Sequence, residues 1–149
     1  MQNGFLIAQI RTERGLSQRD VAKRLKISLA VYKLYEGNER PMKIDELNTL
    51  SNYFKVSLNA LLGISKVIRT VHLRDIDYKY LRFSMRYVRK INRVTQKELA
   101  KDLHVSAATI AKLEKHPEYM TAAYLHAFVT RFHVSADYIC GKTLKKEVL

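Results

Sequence analysis

The sequence predicts an all-α protein built from two tandem five-helix units, and three observations carry that prediction. Five Gly and two Pro among 149 residues leave few turn formers for an all-β chain, while the Leu, Ile, Lys and Arg content favours helices. At 47% hydrophobic and 28% charged residues the composition is globular, so a disordered basic tail does not account for the formal charge of +13. Sliding the chain against itself by 78 residues aligns residues 5–63 with 83–141 without a gap. Each unit is then close to the lower size limit for an independent core, about 60 to 70 residues.

The repeat is dense. Identical pairs include Phe5/Phe83, Arg11/Arg89, Gln18/Gln96, Ala22/Ala100, Ser28/Ser106, Glu36/Glu114, Met42/Met120, Leu47/Leu125, Phe54/Phe132, Ser57/Ser135 and Gly63/Gly141, with Ser17/Thr95 and Asp20/Glu98 as conservative pairs. In chain order, apolar periodicity predicts a first helix over 4–14. Ser17 then stands as an N-cap for a second over 17–25, its hydroxyl able to accept from an unpaired first-turn amide. Ser28 does the same for a third over 28–36, and further helices follow over 43–54 and 57–62. The second set runs 77–92, 95–103, 106–115, 121–132 and 135–140, with Thr95 and Ser106 as the repeated caps. Only Lys26-Ile27 and His104-Val105 separate the second and third helix of each unit, which forces a sharp crossing of helix-turn-helix type. The predicted core is Ile7, Ile10, Val21, Leu25, Tyr32, Tyr35, Leu47, Leu50, Phe54, Leu61 and Leu62, with Met85, Val88, Leu99, Leu103, Ile110, Leu113, Leu125, Phe128, Phe132, Ile139 and Cys140 as equivalents.

The predicted organisation is therefore domain 1 over 1–63, a linker over 64–76, domain 2 over 77–141 and a basic tail over 142–149. Lys66 to Leu73 is rich in β-branched residues and reads as an extended segment. Thirteen extended residues reach at most about 43 Å, against about 34 Å between half-sites one helical turn apart. On that count one chain acts as a covalent pseudo-dimer only with its connector almost straight, and a homodimer stays open beside it.

Leu16-Ser17-Gln18, Val21-Ala22, Leu25, Ile27-Ser28, Tyr35-Glu36-Gly37, Arg40-Pro41 and Val56-Ser57 to Leu61-Leu62-Gly63 together resemble the phage-repressor-like Xre helix-turn-helix family. Val94-Thr95-Gln96, Leu99-Ala100, Leu103, Val105-Ser106, Ile110, Leu113-Glu114 and Val134-Ser135 to Gly141 match the same pattern. The resemblance implies five-helix domains that bind double-stranded DNA with the third helix in the major groove. It further implies that Gln18 and Gln96 contact the DNA backbone, and that Arg11–Glu36 and Arg89–Glu114 are internal ion pairs tying the first helix to the third.

The residues themselves support part of this. Gln18 and Gln96 open a helix, where a polar side chain and free amides can hold a phosphate; a solvated role is the alternative. Arg19 and Lys97 follow them. The outward face of the third helix presents Leu29, Ala30, Lys33 and Leu34 in the first unit, and Ala107, Ala108, Ala111 and Lys112 in the second, with Ser28, Ser106 and Thr109 as further DNA-binding candidates. Arg, Asn and Gln, which read bases in bidentate fashion, are almost absent there, leaving thymine-methyl contacts and lysine reach. Arg40 is placed to meet a phosphate from the loop after the third helix; Lys115-His116-Pro117-Glu118-Tyr119 replaces that loop in the second unit. Lys79, Arg82, Arg86, Lys90 and Arg93 recur at helical spacing without acidic partners, and form a stripe suited to phosphates. Residues 1–63 hold 10 basic and 6 acidic side chains, residues 77–149 hold 14 and 7, so the second unit is the more positive.

Other chemistry is not expected. A single cysteine, Cys140, excludes an internal disulfide framework and a multi-cysteine zinc site, and its reading is a small buried hydrophobe. The five His residues lack ligand spacing, and no phosphate-binding Gly loop or nucleophile motif occurs. No enzymatic activity, cofactor or metal is predicted. Arg11 interrupts the apolar Met1–Ile10 and no cleavage pattern follows, so neither a signal peptide nor a membrane span is expected, and the location expected is cytoplasmic. The leading function is a DNA-binding transcriptional repressor. The alternative is a protein-interaction module on the same fold, such as an antirepressor, antitoxin-like or inhibitor protein, using Leu29, Val31 and Leu34. RNA binding ranks third, for want of paired exposed aromatics.

Overall fold

A computed structural model describes residues 5–66 and 74–143. Within them lie ten α-helices: α1 Ile7–Glu13, α2 Gln18–Leu25, α3 Leu29–Glu36, α4 Ile44–Phe54, α5 Leu58–Leu61, α6 Tyr78–Ile91, α7 Gln96–Asp102, α8 Ala107–Lys115, α9 Ala122–Phe132 and α10 Ala136–Ile139. Apart from the start of α1, every helix begins within one or two residues of its expected position. The caps are local and repeat in register: Ser17 accepts from Asp20 N at 3.0 Å and Thr95 from Glu98 N at 3.1 Å. Ser28 and Ser106 accept from Val31 N and Thr109 N at 3.2 and 3.1 Å. Each such cap is worth about 1 kcal/mol.

The backbone repeats as faithfully as the side chains. Left-handed residues fall at Gly15 and Arg93, Lys26 and His104, Lys55 and His133, and Gly63 and Gly141, all pairs 78 apart. The exception is the loop after the third helix. In the first half Gly37 is the C-cap of α3, right-handed at φ −76°, and Asn38 after it takes the left-handed position. A Cβ at Gly37 would lie 2.9 Å from Glu39 Oε1, the movable end of a side chain, and 3.2 Å from Lys33 O. In the second half Pro117 starts a 3-10 turn to Tyr119 instead.

The buried side chains of both halves form one core. Leu25, Val88, Leu103 and Phe132, expected inside, pack at its rim half-buried, because three of them lie at the ends of helices. Cys140 is fully buried, and burial pushes its thiol well above the ordinary value.

The halves meet around a two-fold arrangement. An antiparallel β-bridge pairs Lys43 with Thr121, through Ile44 N to Met120 O at 2.9 Å and Ala122 N to Met42 O at 2.8 Å. Because 43 and 121 are equivalent positions, these two bonds exchange when the halves are swapped. The short helices α5 and α10 cap each other in the same manner. Asp137 accepts from Leu58 N and Asn59 N at 2.8 and 2.9 Å, and its equivalent Asn59 accepts from Ala136 N at 2.8 Å and donates to Ser135 Oγ at 2.9 Å. All three of these polar side chains are buried.

Two expectations about the connector and tail change accordingly. The halves are held by direct packing of α4 on α9 and α5 on α10, so their spacing does not depend on a straight connector. Residues 67–73 of the expected extended segment, and 144–149 of the expected basic tail, lie outside the described residues. Lys142, assigned to that tail, is 1% exposed and donates to Asn48 Oδ1 and Asn52 Oδ1 at 2.6 and 3.0 Å. Burial lowers its pKa while Asp137 and Asp75 oppose the shift.

Candidate nucleic-acid interface

Beneath each helix-turn-helix corner lies the same buried network. Arg11 Nε donates to Glu36 Oε1 at 2.5 Å, its Nη2 to Glu36 Oε2 at 3.3 Å, and its Nη1 to Leu16 O at 2.8 Å. In the second half Arg89 Nε donates to Glu114 Oε1, its Nη2 to Glu114 Oε2 at 3.2 Å, and its Nη1 to Val94 O at 2.9 Å. The guanidinium thus joins α1 to the C-terminal end of α3, and α6 to that of α8, which sets how far each third helix stands from the body. Burial alone would raise the two glutamate pKa values. Hydrogen bonds from Arg11, Gln18 and Tyr32 on Glu36, and from Arg89 and Gln96 on Glu114, outweigh it and hold both below the ordinary range.

Gln18 and Gln96 belong to this network. Gln18 Nε2 donates to Glu36 Oε2 at 2.7 Å and Gln96 Nε2 to Glu114 Oε2 at 2.9 Å, so neither is merely a solvated surface residue. A carboxamide nitrogen carries two protons, and these half-buried side chains have a second N–H beyond the one given to the glutamate. The glutamate therefore orients the amide at the start of α2 and of α7.

The remaining candidates sort by exposure. Arg19, Ser28, Ala30, Lys33 and Arg40 in the first half are exposed, as are Lys97, Ser106, Ala107 and Lys112 in the second, while Leu29 and Thr109 are half-buried. Thr109 Oγ1 lies 2.9 Å from Ser106 Oγ, which ties up much of the polar reach expected of it. Lys112 Nζ stands 5.3 Å over the ring of Tyr119, a cation–π contact that steadies the lysine and that no helical spacing predicts. Of the apolar triplet on α3, Val31 packs on the core and Leu34 is 36% exposed, so the three do not form one open patch.

The basic stripe is on the surface as expected: Lys79, Arg82, Arg86 and Lys90 are exposed along α6, and Arg93 follows just beyond its end. Arg86 Nε comes within 4.0 Å of Glu114 Oε2, which places the middle of the stripe beside the C-terminal end of α8. A feature that the spacing argument passed over adjoins it. Phe83, Tyr87 and Ile91, one helical turn apart, are 66%, 54% and 60% exposed, and the Phe83 and Tyr87 rings stack at 5.9 Å, which corrects the expectation that paired exposed aromatics are lacking. The roles of Asn59, Ser135 and Asp137 were not expected; their signals were the Ser57/Ser135 identity and an Asn/Asp match at equivalent positions of two short helices.

Among the described residues no group of three or more His, Cys, Asp or Glu gathers as metal ligands, and no helix is long and apolar enough to cross a membrane. No curated protein and no solved structure gives a significant match to the chain. Residues 4–64, which contain α1 to α5, match the family model of a helix-turn-helix domain.

Proposed function

We propose that the protein is a transcriptional regulator that binds duplex DNA through both halves, α3 and α8 entering the major groove, and represses by occupying a promoter. The observation that supports this best is the doubled corner: two outward third helices, each held by the same Arg–Glu–Gln network, with exposed cations beside them. Gln18 and Gln96 with Arg19 and Lys97 hold phosphates at the start of α2 and α7. Arg40 and the α6 stripe extend the backbone contacts, and Lys33, Lys112, Leu29, Ala30 and Ala107 face the bases. Phosphate contacts supply affinity and register, and the short, mostly aliphatic reading faces supply modest base discrimination. The working location is the cytoplasm.

Fluorescence anisotropy with generic duplex across a salt series tests the reading. Neutralising about six phosphates gives a log–log slope near −5, and Gln18→Ala or Gln96→Ala weakens binding by roughly tenfold, the value of a charge-assisted hydrogen bond. A chain that binds no duplex at ~50 mM salt is instead a protein-interaction module. The exposed Phe83, Tyr87 and Ile91 favour that second reading.

A further inference from the structure

We infer that one chain, without a second copy, occupies both halves of an imperfect inverted-repeat site in duplex DNA. The inference rests on the duplex-binding reading above and adds stoichiometry and target class to it.

The junction between the halves is isologous in form: residue 42 pairs with 122 and 44 with 120, and Asn59 and Asp137 each cap the short helix of the other half. A self-complementary patch of this kind joins two subunits in a two-fold dimer. Here the chain's second half covers the patch of its first, so that surface is not open to another copy. The chemistry at the junction is also directional. Asn59 both accepts from Ala136 N and donates to Ser135, whereas the Asp137 carboxylate only accepts. Two copies of the first half would place Asn against Asn, and two of the second would set buried carboxylates at equivalent positions, where like charges repel. The Asn–Asp combination suits one half of each kind.

Lys142 adds a clasp on one side, bonded to Asn48 and Asn52 of α4, whose amides in turn donate to Asp75 at 3.3 and 2.6 Å. The equivalents of Asn48 and Ile64 are His126 and Lys142, and on the other side His126 instead meets the Phe5 ring at 5.7 Å. The axis relating the halves therefore relates α3 to α8 as a fixed pair, and the segments leaving both helices run to the bridge on that axis. The two reading faces differ, with Leu29, Ala30 and Lys33 against Ala107, Ala108 and Lys112. Two-fold-related helices with unlike faces read an inverted repeat whose arms are unlike.

The test selects sites from a duplex library randomised over both arms, then weighs the complex of the full chain with the selected duplex by native mass spectrometry. The expected complex holds one 17.4 kDa chain per duplex, and the site has two different arms about 10 bp apart centre to centre. Inserting ~5 bp between the arms, half a helical turn, lowers affinity by roughly 100-fold or more, because the rigid chain loses its second arm and the effective concentration that came with it. Two chains per duplex, a single-arm site, or a loss below about tenfold on insertion each overturns the inference while leaving duplex binding intact. Absence of any duplex binding overturns both readings together.

Discussion

Replacing Glu114 with Gln tests whether the buried network holds α8 in place. The Arg89 side chain is 9% exposed and that of Glu114 3%, so the substitution strands a guanidinium in the interior without its counter-charge. Breaking a buried pair by removing one partner costs about 3–5 kcal/mol. In a chain of this size each kcal/mol moves the midpoint by about 3 °C, so Tm falls by roughly 9–15 °C. The matching Glu36→Gln change costs less, because Arg11 is 15% exposed and water can reach it. Thermal denaturation followed by circular dichroism, with urea titration for the free energy, measures both. The double variant Arg89→Met, Glu114→Leu recovers most of the loss, since apolar side chains of similar volume need no counter-charge. A single-variant loss below about 1 kcal/mol, the size of an exposed pair, refutes the reasoning. So does a double variant no more stable than Glu114→Gln.

Two further outcomes follow from the same geometry. Both network glutamates have folded pKa values below the ordinary 4.5, so their contribution is complete above that value and is lost as pH falls through the depressed folded values. Urea midpoints measured across the acid range should drop below pH 4.5 in the native chain; a drop that persists undiminished in the Arg89→Met, Glu114→Leu variant would assign it to other carboxylates. Of the left-handed glycines, Gly141→Ala destabilises more than Gly15→Ala, by at least about 1 kcal/mol. Its Cβ would lie 3.2 Å from both Asp77 Cβ and Tyr80 Cδ1, whereas Gly15 faces open space. Equal midpoints for the two alanine variants in urea would show that α6 yields at no cost.

Much of this architecture was legible before any coordinates, and the reason is locality. A Ser or Thr cap acts on an amide three residues away, a helix face repeats every three or four residues, and a left-handed residue closes the helix it belongs to. The caps at Ser17, Ser28, Thr95 and Ser106, and the stripe on α6, therefore read directly from the chain. Arg11–Glu36 and Arg89–Glu114 span 25 residues each, and they were accessible only because the resemblance to the Xre family implies the pair, which the duplication then presents twice.

What escaped was whatever depends on how one half lies against the other. The repeat established that there are two alike units, and the charge count established which is more basic. Neither fixes whether the units hang on a linker or fuse, because capping of α5 by Asp137 and of α10 by Asn59 links residues nearly 80 apart and leaves no periodic trace. For the same reason Lys142 read as tail and proved to be an interior clasp. The sequence by itself determined ten helices and the make-up of two outward third-helix faces. Only the tertiary structure decided that those faces are locked to one axis, since buried polar groups find their partners through the fold and not along the chain.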